Sequence, residues 1–138
     1  MSQQPKLTFG QHLAFAHRTL TRRLHLTLQK EGVEPGTWYA LITLNTRGAM
    51  TVDALREELA QAPAVASVDE LSHQGLVGVS DGTANLTPDG WALFERLREI
   101  VQGQTQQLMQ PLDPADIETT RRVLGELTQR AEELIAAA

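Results

Sequence analysis

Apolar residues recur three or four apart along most of the chain, the period of helices packed on one side. Phe9, Leu13, Ala16, Leu20, Leu24 and Leu28 form the first stripe, and Thr8 followed by Gln11 supplies a capping box at its start. A helix is therefore expected over residues 7–31, stopped by Gly32. Pro35 suits the first turn of a second, shorter helix carrying Trp38, Leu41, Ile42 and Leu44 and ending before Arg47-Gly48. Thr51 caps a third helix whose inner face is Val52, Leu55 and Leu59. After the Ala62-Pro63 break, Val65, Val68 and Leu71 predict a fourth helix over residues 63–75, closed by Gly75.

At Leu76-Val77-Gly78-Val79 the period changes to that of a strand, short, β-branched and bounded by glycine. Asp81-Gly82 is the strongest hairpin signal in the chain, and it returns through Thr83-Ala84-Asn85-Leu86 as a second strand. Thr87-Pro88 then caps a long fifth helix with Trp91, Leu93, Phe94, Leu97, Ile100, Val101 and Leu108, broken by Pro111. Asp113-Pro114 opens a sixth, whose stripe is Ile117, Leu124, Leu127, Ala131, Leu134 and Ile135.

This order predicts a mostly α fold with a small β-hairpin wing: a winged helix-turn-helix, the fourth helix its reader, with long N- and C-terminal dimerisation helices. Residues 1–34 are the N-terminal dimerisation helix and 35–87 the winged helix-turn-helix. Residues 88–138 hold the long helix and the C-terminal dimerisation helix, all in one compact chain without an independent second domain. The two terminal stripes would leave apolar surface bare on a lone subunit. Leu13, Leu20, Leu24, Leu127 and Leu134 are therefore expected to pair with a second copy in a homodimer.

Composition narrows the chemistry. The 138 residues are 41% apolar but only 4% aromatic, which suits helices packed through Leu and Ala, and they include no cysteine, so disulfides, thiolate metal sites and cysteine nucleophiles are excluded. No apolar run is long enough to span a bilayer, and Met1-Ser2-Gln3-Gln4-Pro5-Lys6 has no signal-peptide core. A cytoplasmic protein without a membrane partner is expected. Ser72 and His73 are adjacent and point apart on a helix, and the four histidines show no ligand spacing with carboxylates. The chain is therefore read as a non-enzyme, with no catalytic residues, no metal and no cofactor.

Charge bears more directly on partners. The formal net charge is -5, and between Arg56 and Arg96 lie 39 residues without Lys or Arg but with seven acids: Glu57, Glu58, Asp69, Glu70, Asp81, Asp89 and Glu95. That stretch is the expected reader plus wing. Phosphate binding is driven by cations that release counterions, and useful sites commonly make about six to ten such contacts. Candidates elsewhere are Arg47, Arg56, the helix start near Pro63, and Arg96 or Arg98. Arg is unavailable for guanine reading on the fourth helix, which leaves Gln61, Ser67, Ser72 and Gln74 as polar contacts.

Several linked segments resemble the MarR family of dimeric bacterial regulators. Residues 32–41, Gly-Val-Glu-Pro-Gly-Thr-Trp-Tyr-Ala-Leu, look like that family's second-helix opening, and Met50-Thr51-Val52-Asp53-Ala54-Leu55 like its third-helix start. Asp69-Glu70-Leu71-Ser72-His73-Gln74-Gly75-Leu76-Val77 is similar to its recognition-helix exit, and Leu86-Thr87-Pro88-Asp89-Gly90 to the Leu-Thr-x-x-Gly after its wing. The resemblance covers nearly the whole chain from Leu7 onward. It implies a dimer whose reading helices enter successive major grooves, with wings on the minor groove or backbone, often tuned by a small aromatic or oxidising signal. The departures lie in the DNA-facing parts, because the reading helix and wing are shorter than usual and carry no basic residue.

The DNA-facing candidates are thus Arg47, Arg56, Gln61, Ala64, Ser67 and Ser72, with Ser80 and Thr83 on the wing. For a small aromatic effector they are His17 and Trp38, while the plainer reading of Trp38 is a packed core aromatic. Arg18, Arg22 and Arg23 read as a solvated helix face, and Asp69 with His73 as a solvated pair. Two functions follow: a dimeric MarR-like transcriptional regulator with weak or atypical DNA binding, or a protein of that fold that has lost DNA reading and binds a ligand or protein.

Overall fold

The computed structural model describes residues 6–62 and 64–138, and the chain forms two compact units, Met1–Glu99 and Ile100–Ala138. The first holds α1 (Phe9–Lys30), α2 (Pro35–Arg47), β1 (Met50–Thr51), α3 (Val52–Ala60), α4 (Val68–His73), β2 (Val77–Ser80) and β3 (Thr83–Leu86). Helix α5 (Pro88–Met109) starts in this unit and ends in the second, which also holds α6 (Pro114–Ala137).

The expected punctuation is realised. Thr8 and Gln11 bond reciprocally at the start of α1: the Gln11 N–H donates to Thr8 Oγ1 (3.1 Å) and the Thr8 N–H to Gln11 Oε1 (2.8 Å). Pro35 opens α2, and Gly48, at φ 76°, ends it. The Ala54 N–H donates to Thr51 Oγ1 (3.1 Å) at α3, and the Ala115 N–H to Asp113 Oδ1 (2.9 Å) at α6.

The fourth helix is a correction. The apolar spacing predicts helix over residues 63–75, but α4 spans only Val68–His73 with Ser67 as its N-cap. Val65, expected on its inner face, is 96% exposed in the preceding segment. Pro63 lies outside the described residues. The reason is local: the Ser67 hydroxyl accepts from the Glu70 N–H (3.3 Å), which starts the helix there.

A third strand is a further difference. The sheet runs β1-β3-β2, all antiparallel, with Met50 opposite Ala84, Thr51 opposite Thr83, and the hairpin paired from Val77–Leu86 to Ser80–Thr83. β1 thus ties the start of α3 to the wing, and the Val52 N–H donates to the Gly82 carbonyl (2.9 Å).

Every element of the first unit contributes buried residues to its core. Leu28 of α1, Trp38, Leu41 and Leu44 of α2, Leu55 of α3, Leu71 of α4, Val77 and Ala84 of the hairpin, and Phe94 and Leu97 of α5 are all buried. The second unit differs. Neither α6 nor residues 100–109 of α5 contain a buried residue, and Leu112, Leu124, Leu127, Leu134 and Ile135 are all at least 38% exposed.

Candidate nucleic-acid interface

The α4 segment and the wing are held by two close backbone approaches. A Cβ on Gly36, in the first turn of α2, would lie 1.9 Å from the Val65 carbonyl oxygen, so the segment before α4 rests directly on α2. A Cβ on Gly90 would lie 2.1 Å from the Leu76 carbonyl oxygen, which brings the start of α5 against the exit from α4. Thr87 locks the same corner: its hydroxyl accepts from the Gly90 N–H and donates to the Gly75 carbonyl. The wing tip has the expected two-residue turn, with Asp81 at φ 52° and Gly82 at φ 74°.

The electrostatics of this frame are not those of a free phosphate-binding face. Arg47, at the end of α2, lies 2.7 Å from Glu58 of α3. Arg56 of α3 lies 3.8 Å from Asp53 and 3.6 Å from Asp69 in the first turn of α4. Both guanidiniums are about half exposed, at 54% and 55%, so competition with phosphate is sterically open. At the N-terminus of α4, Ser67 already satisfies the Glu70 N–H, and Asp69 and Glu70 put two carboxylates in its first turn, which oppose an anion there. Arg98 is likewise paired with Glu95.

Gln61 is the exposed C-cap of α3, Ala64 lies in the segment before α4 instead of on a helix, and Ser67 is spent as a cap. Ser72 is exposed on α4, and Ser80 and Thr83 flank the wing turn as a paired position. Trp38 is 4% exposed and stacks on Phe94, the centroids 5.7 Å apart and the planes at 20°. Among the described contacts His17 does not meet it; His17 is exposed on α1. Leu13 and Leu24 are half-buried, while Leu20, Leu127 and Leu134 are 50%, 43% and 55% exposed.

Sequence reasoning missed the partners Glu58 and Asp69. It paired Asp69 with His73, whereas the structure sets Asp69 beside Arg56. It also missed His25 and Tyr39, whose Nε2 and Oη lie 3.4 Å apart with the rings edge-on. Burial pushes the Tyr39 hydroxyl above the usual tyrosine pKa. Among the described residues there is no cluster of three or more His, Asp or Glu able to hold a metal, and no helix is long and apolar enough to cross a membrane.

A helical chain with a three-stranded wing sheet, a short helix α4 between α3 and the hairpin, and long helices at both ends has the winged-helix fold of MarR-type regulators. Solved structures carry that fold over almost the full chain. A MarR family protein from Bacillus stearothermophilus matches with a TM-score of 0.74 at 23% identity, over 87% of this chain and 90% of that one. NadR in complex with 4-hydroxyphenylacetate matches with a TM-score of 0.74 at 18% identity, over 92% and 99%. Wild-type apo MarR from E. coli gives 0.72 at 18%, over 90% and 98%. No protein-family model matches the chain, and no curated protein matches it in sequence.

Proposed function

We propose that this chain is a MarR-type transcriptional regulator that works as a homodimer in the cytoplasm. Residues 35–87 supply the reader and wing, between the dimerisation elements 1–34 and 88–138. DNA binding is weak and salt-sensitive, because the two cations nearest the reader must leave their carboxylates before they can meet phosphates. The observation that carries this reading is the position of Arg56, half exposed and 3.6 Å from Asp69 at the start of α4, where a cation can serve the backbone beside the reader. The apolar stripes support the dimer: α6 has no buried residue, so its Leu127 and Leu134 lack cover on a single chain.

A small aromatic effector belongs to the proposal, with His17 and Trp38 as its candidate contacts. The structural relative NadR is named in complex with 4-hydroxyphenylacetate, which sets the class to test first. Because Trp38 is already stacked on Phe94, an effector there would have to open that stack, and the Trp emission would report it.

The second reading is a protein of the same fold that binds a ligand or another protein in place of DNA. It is favoured by Arg47 and Arg56 both being neutralised within the chain and by the acids at the start of α4. A mobility-shift titration against the gene's own upstream region at two salt concentrations separates them. The regulator reading expects a complex that weakens steeply with salt; none up to roughly ten micromolar, weaker than usual specific sites, favours the second.

A further inference from the structure

Beside α4 lies a cleft that shares Ser67 and Gln74 with the expected DNA contacts. It encloses about 320 Å³ between the start of α2, the segment before α4, and α4 itself, and its polar lining comes from Glu34, Thr37, Ser67, Glu70 and Gln74. Thr37 is the informative residue. It is only 9% exposed, and its hydroxyl makes no hydrogen bond among the described residues. Among those residues no fully buried side-chain oxygen or nitrogen lacks a partner, so this hydroxyl keeps an opening, and the cleft it lines provides one. A threonine held this way presents a ready hydrogen-bonding group to the cleft.

The charge of the lining decides what fits. Glu34 precedes α2 and Glu70 lies in the first turn of α4, neither makes an ion pair among the described residues, and no Lys or Arg lines the cleft. A helix N-terminus contributes roughly half a positive charge, so the start of α2 offsets only part of two full negative charges. An anion would be repelled. We propose that this cleft binds a compact organic cation of the amine or amidine class, paired with the Glu34 and Glu70 carboxylates and hydrogen-bonded to Thr37. The cleft walls belong to α2 and α4, so an occupant would bridge the helix that supports the reader to the reader itself. Its influence on DNA binding rests on the regulator reading; the binding does not.

The test therefore uses no DNA. Amide spectra of the isotope-labelled full chain are titrated with benzamidine and, in parallel, with benzoate, an anion of the same shape. Saturable shifts centred on Thr37, Ala66, Ser67 and Gln74 are expected with benzamidine alone. Glu34→Gln with Glu70→Gln should weaken binding by about tenfold, the scale of two exposed charge pairs. Thr37→Val, which keeps the shape and removes the hydroxyl, should also weaken it while leaving the other resonances in place. Equal responses to both probes, shifts that never saturate, or full affinity in the double-glutamine variant would overturn the assignment. A chain that binds benzamidine but no DNA would sink the regulator reading and leave this one standing.

Discussion

The Arg47 guanidinium sits 2.7 Å from the Glu58 carboxylate and so ties the last residue of α2 to α3. Arg47 and Arg56 are the only Lys or Arg side chains from residue 47 to residue 95, and both are engaged by acids of the same chain. These carboxylates occupy the arginines as phosphates would. Such exposed pairs are worth at most about 1 kcal/mol each, so on the regulator reading they would tune DNA affinity without abolishing it.

Glu58→Gln and Asp69→Asn should each raise DNA affinity, by about two- to fivefold per variant, read by fluorescence anisotropy at fixed salt. Removing any acid near DNA reduces repulsion, so a double-mutant cycle is needed. In an Arg47→Gln background the gain from Glu58→Gln should vanish. A gain that survives there means the acid acts through general repulsion and the ion pair is irrelevant.

Tyr39 offers a pH signature inside the first unit. Burial disfavours its charged form, so its folded pKa lies above the unfolded value of about 10. The corresponding stability is present in full below pH 10 and is lost as pH rises through the folded value. The chain has a single tyrosine, so absorbance near 295 nm reports it without assignment. The native midpoint should lie above that measured in concentrated urea; coincident midpoints would contradict the burial.

Much of this fold is legible in punctuation. Thr8 with Gln11, Thr51, Asp81-Gly82 and Asp113 each announce a boundary by a side chain or a φ that only one local structure needs, and the structure uses every one. The expected fourth helix is too long because Val65, Val68 and Leu71 keep a helical spacing even though Val65 is outside the helix and exposed. Ser67 followed by Glu70 is the contrary signal, a capping pair inside the expected element. Strand β1 is two residues long and leaves no period to read. The absence of cations from the reader can be counted along the chain, but the pairing of Arg47 with Glu58 joins two helices and requires the fold.

The close approaches at Gly36 and Gly90 should make both positions intolerant of a methyl group. A Cβ at either would press within about 2 Å of a backbone carbonyl, and backbone cannot step aside as a flexible side chain can. Gly36→Ala and Gly90→Ala should each cost at least about 2 kcal/mol in urea unfolding, toward the upper end of overpacking penalties. Gly103 provides the contrast. It lies in helix α5, and a methyl group there would have nothing within 4 Å, so Gly103→Ala should stabilise by up to about 1 kcal/mol through helix propensity. Equal effects at all three positions would mean that close approach does not govern the placement of α4 and the wing.

The terminal helices carry the largest consequence for assembly. Leu20 on α1 and Leu127 and Leu134 on α6 are 43–55% exposed, and α6 runs 24 residues without burying one. A helix gains most of its stability in a protein from packing an apolar face, so a lone chain should leave α6 poorly protected. Size-exclusion with light scattering should give twice the chain mass at micromolar concentration. Leu127→Asp with Leu134→Asp should shift the chain to monomer and lower its unfolding midpoint, because a charge in each copy would face its symmetry mate or its neighbours across an isologous contact. Hydrogen exchange separates the outcomes further: in the variant, α6 amides should exchange fast while those of Leu41, Leu55 and Val77 in the first unit stay protected. A wild-type monomer whose α6 amides are as protected as those core positions would show that the helix is stable without a partner, and the dimer would fall with it.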